Sequence, residues 1–158
     1  MKIVIHLIVC IALATACTNE LVETAPDKNS DKFILRDQTI FESTLQNIQQ
    51  NIIDSDQFVL HEVKIENKKI HIKVAYSGGC ATHKFQIICP EVITMIYPPD
   101  FSVVLMHDNN GESCEAYLTE TISFDLINDE INLSDEAISE MRISVINGSN
   151  PDEVVSNR

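Results

Sequence analysis

Cys114-Glu115-Ala116-Tyr117-Leu118-Thr119-Glu120-Thr121-Ile122-Ser123-Phe124-Asp125-Leu126 decides the fold class. Cys114, Ala116, Leu118, Ile122, Phe124 and Leu126 fall on one parity, and Glu115, Tyr117, Thr119, Thr121, Ser123 and Asp125 on the other. A period of two with β-branched and aromatic residues is the pattern of a half-buried strand. Thirteen residues is long for one strand, so a bend or bulge is expected near Glu120.

The same period extends upstream. Val59, Val63 and Ile65 alternate with Leu60, Glu62 and Lys64. After Asn67-Lys68, Ile70, Ile72, Val74 and Tyr76 alternate with His71, Lys73 and Ala75. Two strands joined by a tight turn are expected. Phe85 and Ile87 continue on a strand that Pro90 ends, and Tyr97-Pro98-Pro99-Asp100 reads as a turn. Phe101, Val103 and Leu105 form another strand, and Met141 to Ile146 a last one. Ile131 and Leu133 suggest a short piece, and Ser134 a cap for one helical turn. The pattern predicts a mainly β fold, an antiparallel β-sandwich with one short N-terminal helix. That helix is expected over 39–53, because Phe41, Leu45, Ile48 and Ile52 recur at helical spacing.

The ends read differently. Lys2 precedes an apolar run from Ile3 to Ala14 that is too short to span a bilayer comfortably. Ala14-Thr15-Ala16 then places small residues before a cysteine. Ala14-Thr15-Ala16-Cys17 resembles the lipobox of bacterial lipoproteins. The resemblance implies a lipoprotein signal peptide over 1–16 and lipidation of Cys17. Thr18 lacks the aspartate that retains such proteins at the inner membrane, so the resemblance favours an outer-membrane lipid anchor. Residues 17–35 read as a flexible polar tether, 36–147 as the β-rich domain and 148–158 as a loose tail. The lipid membrane, reached through acylated Cys17, is the expected partner, with an envelope protein as a further one.

The chain's net charge is −13, and becomes −14 without the first sixteen residues, which carry only Lys2. Nucleic acid is therefore not an expected partner, since its affinity comes from Lys and Arg on phosphates.

The densest chemistry is Tyr76-Ser77-Gly78-Gly79-Cys80-Ala81-Thr82-His83-Lys84-Phe85, with His107 and Cys114 downstream. If 83–89 pairs with 101–107 so that Phe85 faces Leu105, His83 falls opposite His107. If 101–107 then pairs with 114–120, Cys114 also meets His107. Directly opposed side chains have Cβ atoms about 4.5–5.5 Å apart, so the four would converge. Three readings compete. The leading one is a Cys80–Cys114 disulfide with no cofactor, which an exported chain would keep. The alternative is a zinc or copper site of Cys80, His83, His107 and Cys114, with two thiolates and two imidazoles. The third is a catalytic thiol, but no orienting group is evident, and no enzyme is expected. Cys89 shares the parity of Phe85 and reads as a buried core thiol. Asp108 to Glu112 is too short for a calcium loop and reads as a polar hairpin turn. His61 and His71 read as surface or cross-strand residues.

The segment Tyr76-Ser77-Gly78-Gly79-Cys80-x-x-His83-x-Phe85, followed by His107-x6-Cys114, resembles small, uncharacterised lipoproteins, mainly of Bacteroidota. The resemblance covers Val59 to Leu126. It implies a compact β-rich domain behind a lipidated cysteine and brings no established activity or ligand.

Overall fold

The computed structural model describes residues 32–91, 98–128, 131–132 and 134–158. The signal segment, Cys17, tether residues 17–31, Tyr97 and Leu133 lie outside the described residues.

The fold is mainly β, in two principal sheets. A five-stranded sheet has the order β1 (Lys32–Arg36), β4 (Lys84–Cys89), β5 (Asp100–Asp108), β9 (Arg142–Asn147), β10 (Asn150–Ser156). A three-stranded sheet has the order β2 (Phe58–Glu66), β3 (Lys69–Gly78), β6 (Ala116–Asp125). Short strands β7 (Ile127–Asn128) and β8 (Ile131–Asn132) pair with each other. Helix α1 spans Gln38–Gln49 and α2 spans Asp135–Glu140, the latter capped by Ser134 as expected.

Three expectations need correction. The five-stranded sheet is mixed, because β1 runs parallel to β4 and β5 parallel to β9. Residues 32–35, assigned to the tether, belong to β1, where Ile34 is buried against Ile87 in the core. Residues 148–158 are not a loose tail either. The Gly148-Ser149 turn folds β10 back on β9, and Val155 packs against the core.

Two local patterns were misread for physical reasons. Asp37 caps α1 by accepting from the Ile40 amide at 2.9 Å. At the other end Asn51 adopts φ 57°, and the Ile52 amide reaches back to Asn47 O at 2.8 Å. This left-handed ending stops the helix at Gln49 and turns Ile52, a predicted core residue, out to 56% exposure. In β2 the register with β3 shifts between Leu60 and Glu62. The extra residue, His61, flips the parity, so Phe58, Leu60 and Val63 face inward and Val59 is exposed. The bulge expected near Glu120 is absent, since β6 pairs with β3 without interruption from Ala116 to Asp125. The predicted β2–β3 turn holds: Asn67 and Lys68 both have positive φ, as a two-residue hairpin requires.

Inward residues of both sheets, among them Ile72, Val74 and Ile122 from one and Ile87, Leu105 and Val145 from the other, form one apolar core. On the other face of the five-stranded sheet, Phe41 and Ile48 of α1 pack on Ile88 and Val104. Asn147, fully buried, ties the sheets together by donating to Phe58 O at 2.8 Å and to the Glu153 carboxylate.

Candidate functional site

Cys80 and Cys114 are joined in a disulfide with Cα atoms 6.0 Å apart. The sequence pairing placed His83 opposite His107 on a wrong register. The observed partners are Phe85↔His107 and Ile87↔Leu105, a shift of two that preserves which face each residue uses. Nor does β5 pair with β6, which lies in the other sheet beside β3. The four residues still gather, because the loop between β5 and β6 crosses from one sheet to the other past the Gly78-Gly79 bend.

Two cross-strand pairs frame the cluster, Phe58↔Tyr76 from the three-stranded sheet and Phe85↔His107 from the five-stranded one. His107 stacks on Phe85 with ring centroids 4.6 Å apart and meets Phe58 edge-on at 5.7 Å. His83 lies edge to edge with His107, the rings nearly coplanar with centroids 4.9 Å apart, and packs against Tyr76 at 4.4 Å. Both histidines are buried.

Their polar atoms form one chain. The Glu112 carboxylate contacts His83 Nε2 at 2.6 Å, His83 Nδ1 contacts His107 Nε2 at 2.7 Å, and His107 Nδ1 faces Asp56 O at 3.4 Å. Both ends of this chain are acceptors. The two short links share the two protons that neutral imidazoles carry. The second carboxylate oxygen accepts from the Cys80 and Ala81 amides at 2.8 and 2.5 Å. Burial alone would raise the Glu112 carboxyl, but the His83 contact and these two amides outweigh it and hold it below its ordinary range. His107 is pushed down by burial first and then by the neighbouring His83. Tyr76 is raised by burial, by its 2.8 Å hydrogen bond to the Glu120 carboxylate and by the nearby Glu112 charge.

The glycine pair makes this fit. A Cβ on Gly78 would stand 2.3 Å from both the Glu112 carboxylate and His83 Nε2. Gly79 has φ +115°, a conformation that side-chain-bearing residues rarely adopt.

Glu112 is the residue the sequence reading missed, dismissed with the Asp108–Glu112 turn. That loop is not a hairpin. It holds itself through the Asn110 amide on the Asp108 carboxylate and the Gly111 amide on the Asn109 side chain, both 2.8 Å. The available signal was position: Glu112 lies two residues before Cys114, whose partner Cys80 lies three before His83.

The four-ligand metal alternative does not describe this oxidised state. Cys80 and Cys114 are bonded to each other and offer no thiolates, and both nitrogens of His83 are engaged. Among the described residues, donor atoms of Cys80, Glu112 and Cys114 do lie within 4.8 Å of one another. Cys89 is buried, as expected, its thiol 3.6 Å from Leu35 O. His71 is a cross-strand partner, 2.8 Å from the Ser123 hydroxyl, and His61 sits in the bulge.

No family model matches the sequence, and no curated protein matches it. Two solved structures are similar over most of this chain. One is a protein of unknown function, DUF1344, from Bacteroides vulgatus, with TM-score 0.48 and 13% identity over 79% of this chain and 53% of its own. The other is a putative toxin-related protein from Parabacteroides distasonis, with TM-score 0.43 and 13% identity over 78% of this chain and 58% of its own. The chain thus spans little more than half of each, and likenesses this low carry no argument about function.

Proposed function

We propose that this is a membrane-anchored envelope lipoprotein whose β domain, a sandwich of two sheets, is a non-enzymatic binding or assembly module. The observation that carries the non-enzymatic reading is the use of the polar cluster. His83 and His107 are buried, their ring nitrogens face one another, Glu112 and Asp56 O, and the disulfide closes the same loops. A general base needs a lone pair within reach of a substrate, and these face partners inside the protein. The sandwich reading is supported by the single core that both sheets share. The address reading is supported by the small residues before Cys17 and the spacer that follows. In the producing bacterium, wild-type protein should fractionate with membranes and Cys17→Ala protein should not. A Cys17→Ala protein that stays membrane-bound would overturn the lipid anchor.

A further inference from the structure

One surface is left unexplained by the core and by the disulfide cluster. Beside α1, on the face of the five-stranded sheet that the helix only partly covers, lies a groove of about 850 Å³. Phe33, Leu35, Ile40, Ile52, Ile53 and Met106 supply its apolar side, and polar side chains such as Asn47 and Gln86 line the rest. Ile40, Ile52 and Ile53 are three of six exposed large hydrophobic side chains among the described residues, and all three line this groove. Ile52 and Ile53 are there because α1 ends early and turns them outward. A volume of that order lies within the roughly 300–1,000 Å³ of sites that enclose small ligands.

The position of the groove says what it would hold. The described chain begins at Lys32, one residue before the groove-lining Phe33. Cys17 stands fifteen positions before Lys32. A spacer of that length reaches at most about 50 Å, so anything attached to Cys17 stays close to this groove at high effective concentration. The charged side chains lining the groove are Lys84, Asp54 and Asp108, one base against two acids. That balance does not attract an anionic headgroup. It leaves the apolar lining as the recognising element.

We infer that the groove is a binding site for a long acyl chain, and that its occupant is an acyl chain carried on Cys17 of the same molecule. The inference rests on the lipoprotein reading. It gives that reading a second state, in which the domain lies against its own anchor rather than extended from the membrane.

The test compares lipidated wild-type protein in mild detergent with the full Cys17→Ala chain. Neutral monoacylglycerols of increasing chain length are used to displace Nile red. The Cys17→Ala chain should bind one equivalent. Affinity should rise with each methylene, by up to about fourfold per group, until the groove is filled. Ile52→Asp and Ile53→Asp, both at exposed positions, should each weaken binding at least tenfold, whereas Tyr117→Ser on the other sheet should not. Lipidated wild-type protein should bind at least tenfold more weakly, because its own chain competes. Absence of saturable binding, indifference to chain length, or equal binding by the Asp variants would overturn the site. So would a dimer of the Cys17→Ala chain that the Asp variants dissociate without any probe binding, which would assign the groove to a second copy. Intact mass separates the two readings. An unmodified Cys17 would overturn both, while lipid on Cys17 of the wild type with no probe binding by the Cys17→Ala chain would overturn the groove alone.

Discussion

Removing the disulfide with Cys80→Ala and Cys114→Ala together should destabilise the domain without dismantling the cluster. The bond joins residues 34 apart in sequence. The chain-entropy cost of leaving a loop of that size open in the unfolded state is about 4 kcal/mol at room temperature. The folded state should lose little. Glu112 is bound to the Cys80 and Ala81 backbone amides, not to sulfur, and its contact with His83 bridges the same two loops. The effect is therefore placed mainly on the unfolded chain. Two consequences follow in urea titration of the domain. The free energy of unfolding should drop by about 3–5 kcal/mol, and the denaturant slope should rise, because an uncrosslinked unfolded chain exposes more surface. In a thermal scan, a domain of this size should lose roughly 10–20 °C. Histidine ring resonances in the native double variant should stay close to wild type. A loss under about 1 kcal/mol, or an unchanged denaturant slope, would refute the argument from chain entropy. A large loss with collapse of the histidine signals would refute it differently, by showing that the bond positions Glu112 itself.

Gly78→Ala should break the Glu112–His83 contact, because the new methyl meets both partners at 2.3 Å; nitrogen NMR of the His83 ring should report the change, and an unchanged spectrum would contradict the close approach. Stability should fall with acid in two steps of the same sign. His107 is held below its ordinary 6.5, so the unfolded chain binds that proton more readily, and stability is full above about pH 6.5 and lost as pH falls below it. Glu112, held below 4.5, extends the loss at lower pH as its folded carboxylate is protonated. Urea midpoints across this range should decline, and His107→Phe should flatten the upper part; a midpoint independent of pH would contradict both shifts. Asn147→Leu should cost about 1–3 kcal/mol in the same titration, because it leaves the buried Phe58 carbonyl without its donor; a neutral result would show that the Asn147 contact does not join the sheets.

Much of the architecture was legible because alternation survives most local errors. The β4–β5 register was wrong by two, and an even shift keeps every side chain on its face, so His83 and His107 still met. An odd shift is not forgiving, and the bulge at His61 hid the true inward set of β2. The parallel pairings of β1 and β9 could not be read, since a strand's own pattern is silent on the direction of its neighbour. Strand β10 was hidden because Pro151, Asp152 and Glu153 mask the turn-and-return signalled by Gly148 and the two valines. Helix α1 was legible as a stripe, but its end was set by Asn51, a residue that tolerates the left-handed conformation and so breaks the stripe at Ile52.

The motif that stands out in the sequence is explained by internal fit. Gly78 vacates the space in which Glu112 meets His83, Gly79 takes the backbone turn, Cys80 fixes the loop to Cys114, and His83 links Glu112 to His107. Each residue of Gly-Gly-Cys-x-x-His thus has a partner within the domain, and Glu112 is the partner at Gly78, Cys80 and His83. A dense cluster of chemically capable side chains ordinarily marks a site of action. Here the reactive atoms face each other, so the cluster spends its specificity on holding two sheets and a crossing loop in one arrangement. A surface not accounted for by that arrangement among the described residues is the groove beside α1. Its isoleucines are exposed among the described residues, two of them turned outward by the end of α1, and it lies beside Lys32, where the described chain begins. On the reading proposed above, function is to be sought at the groove and stability at the motif.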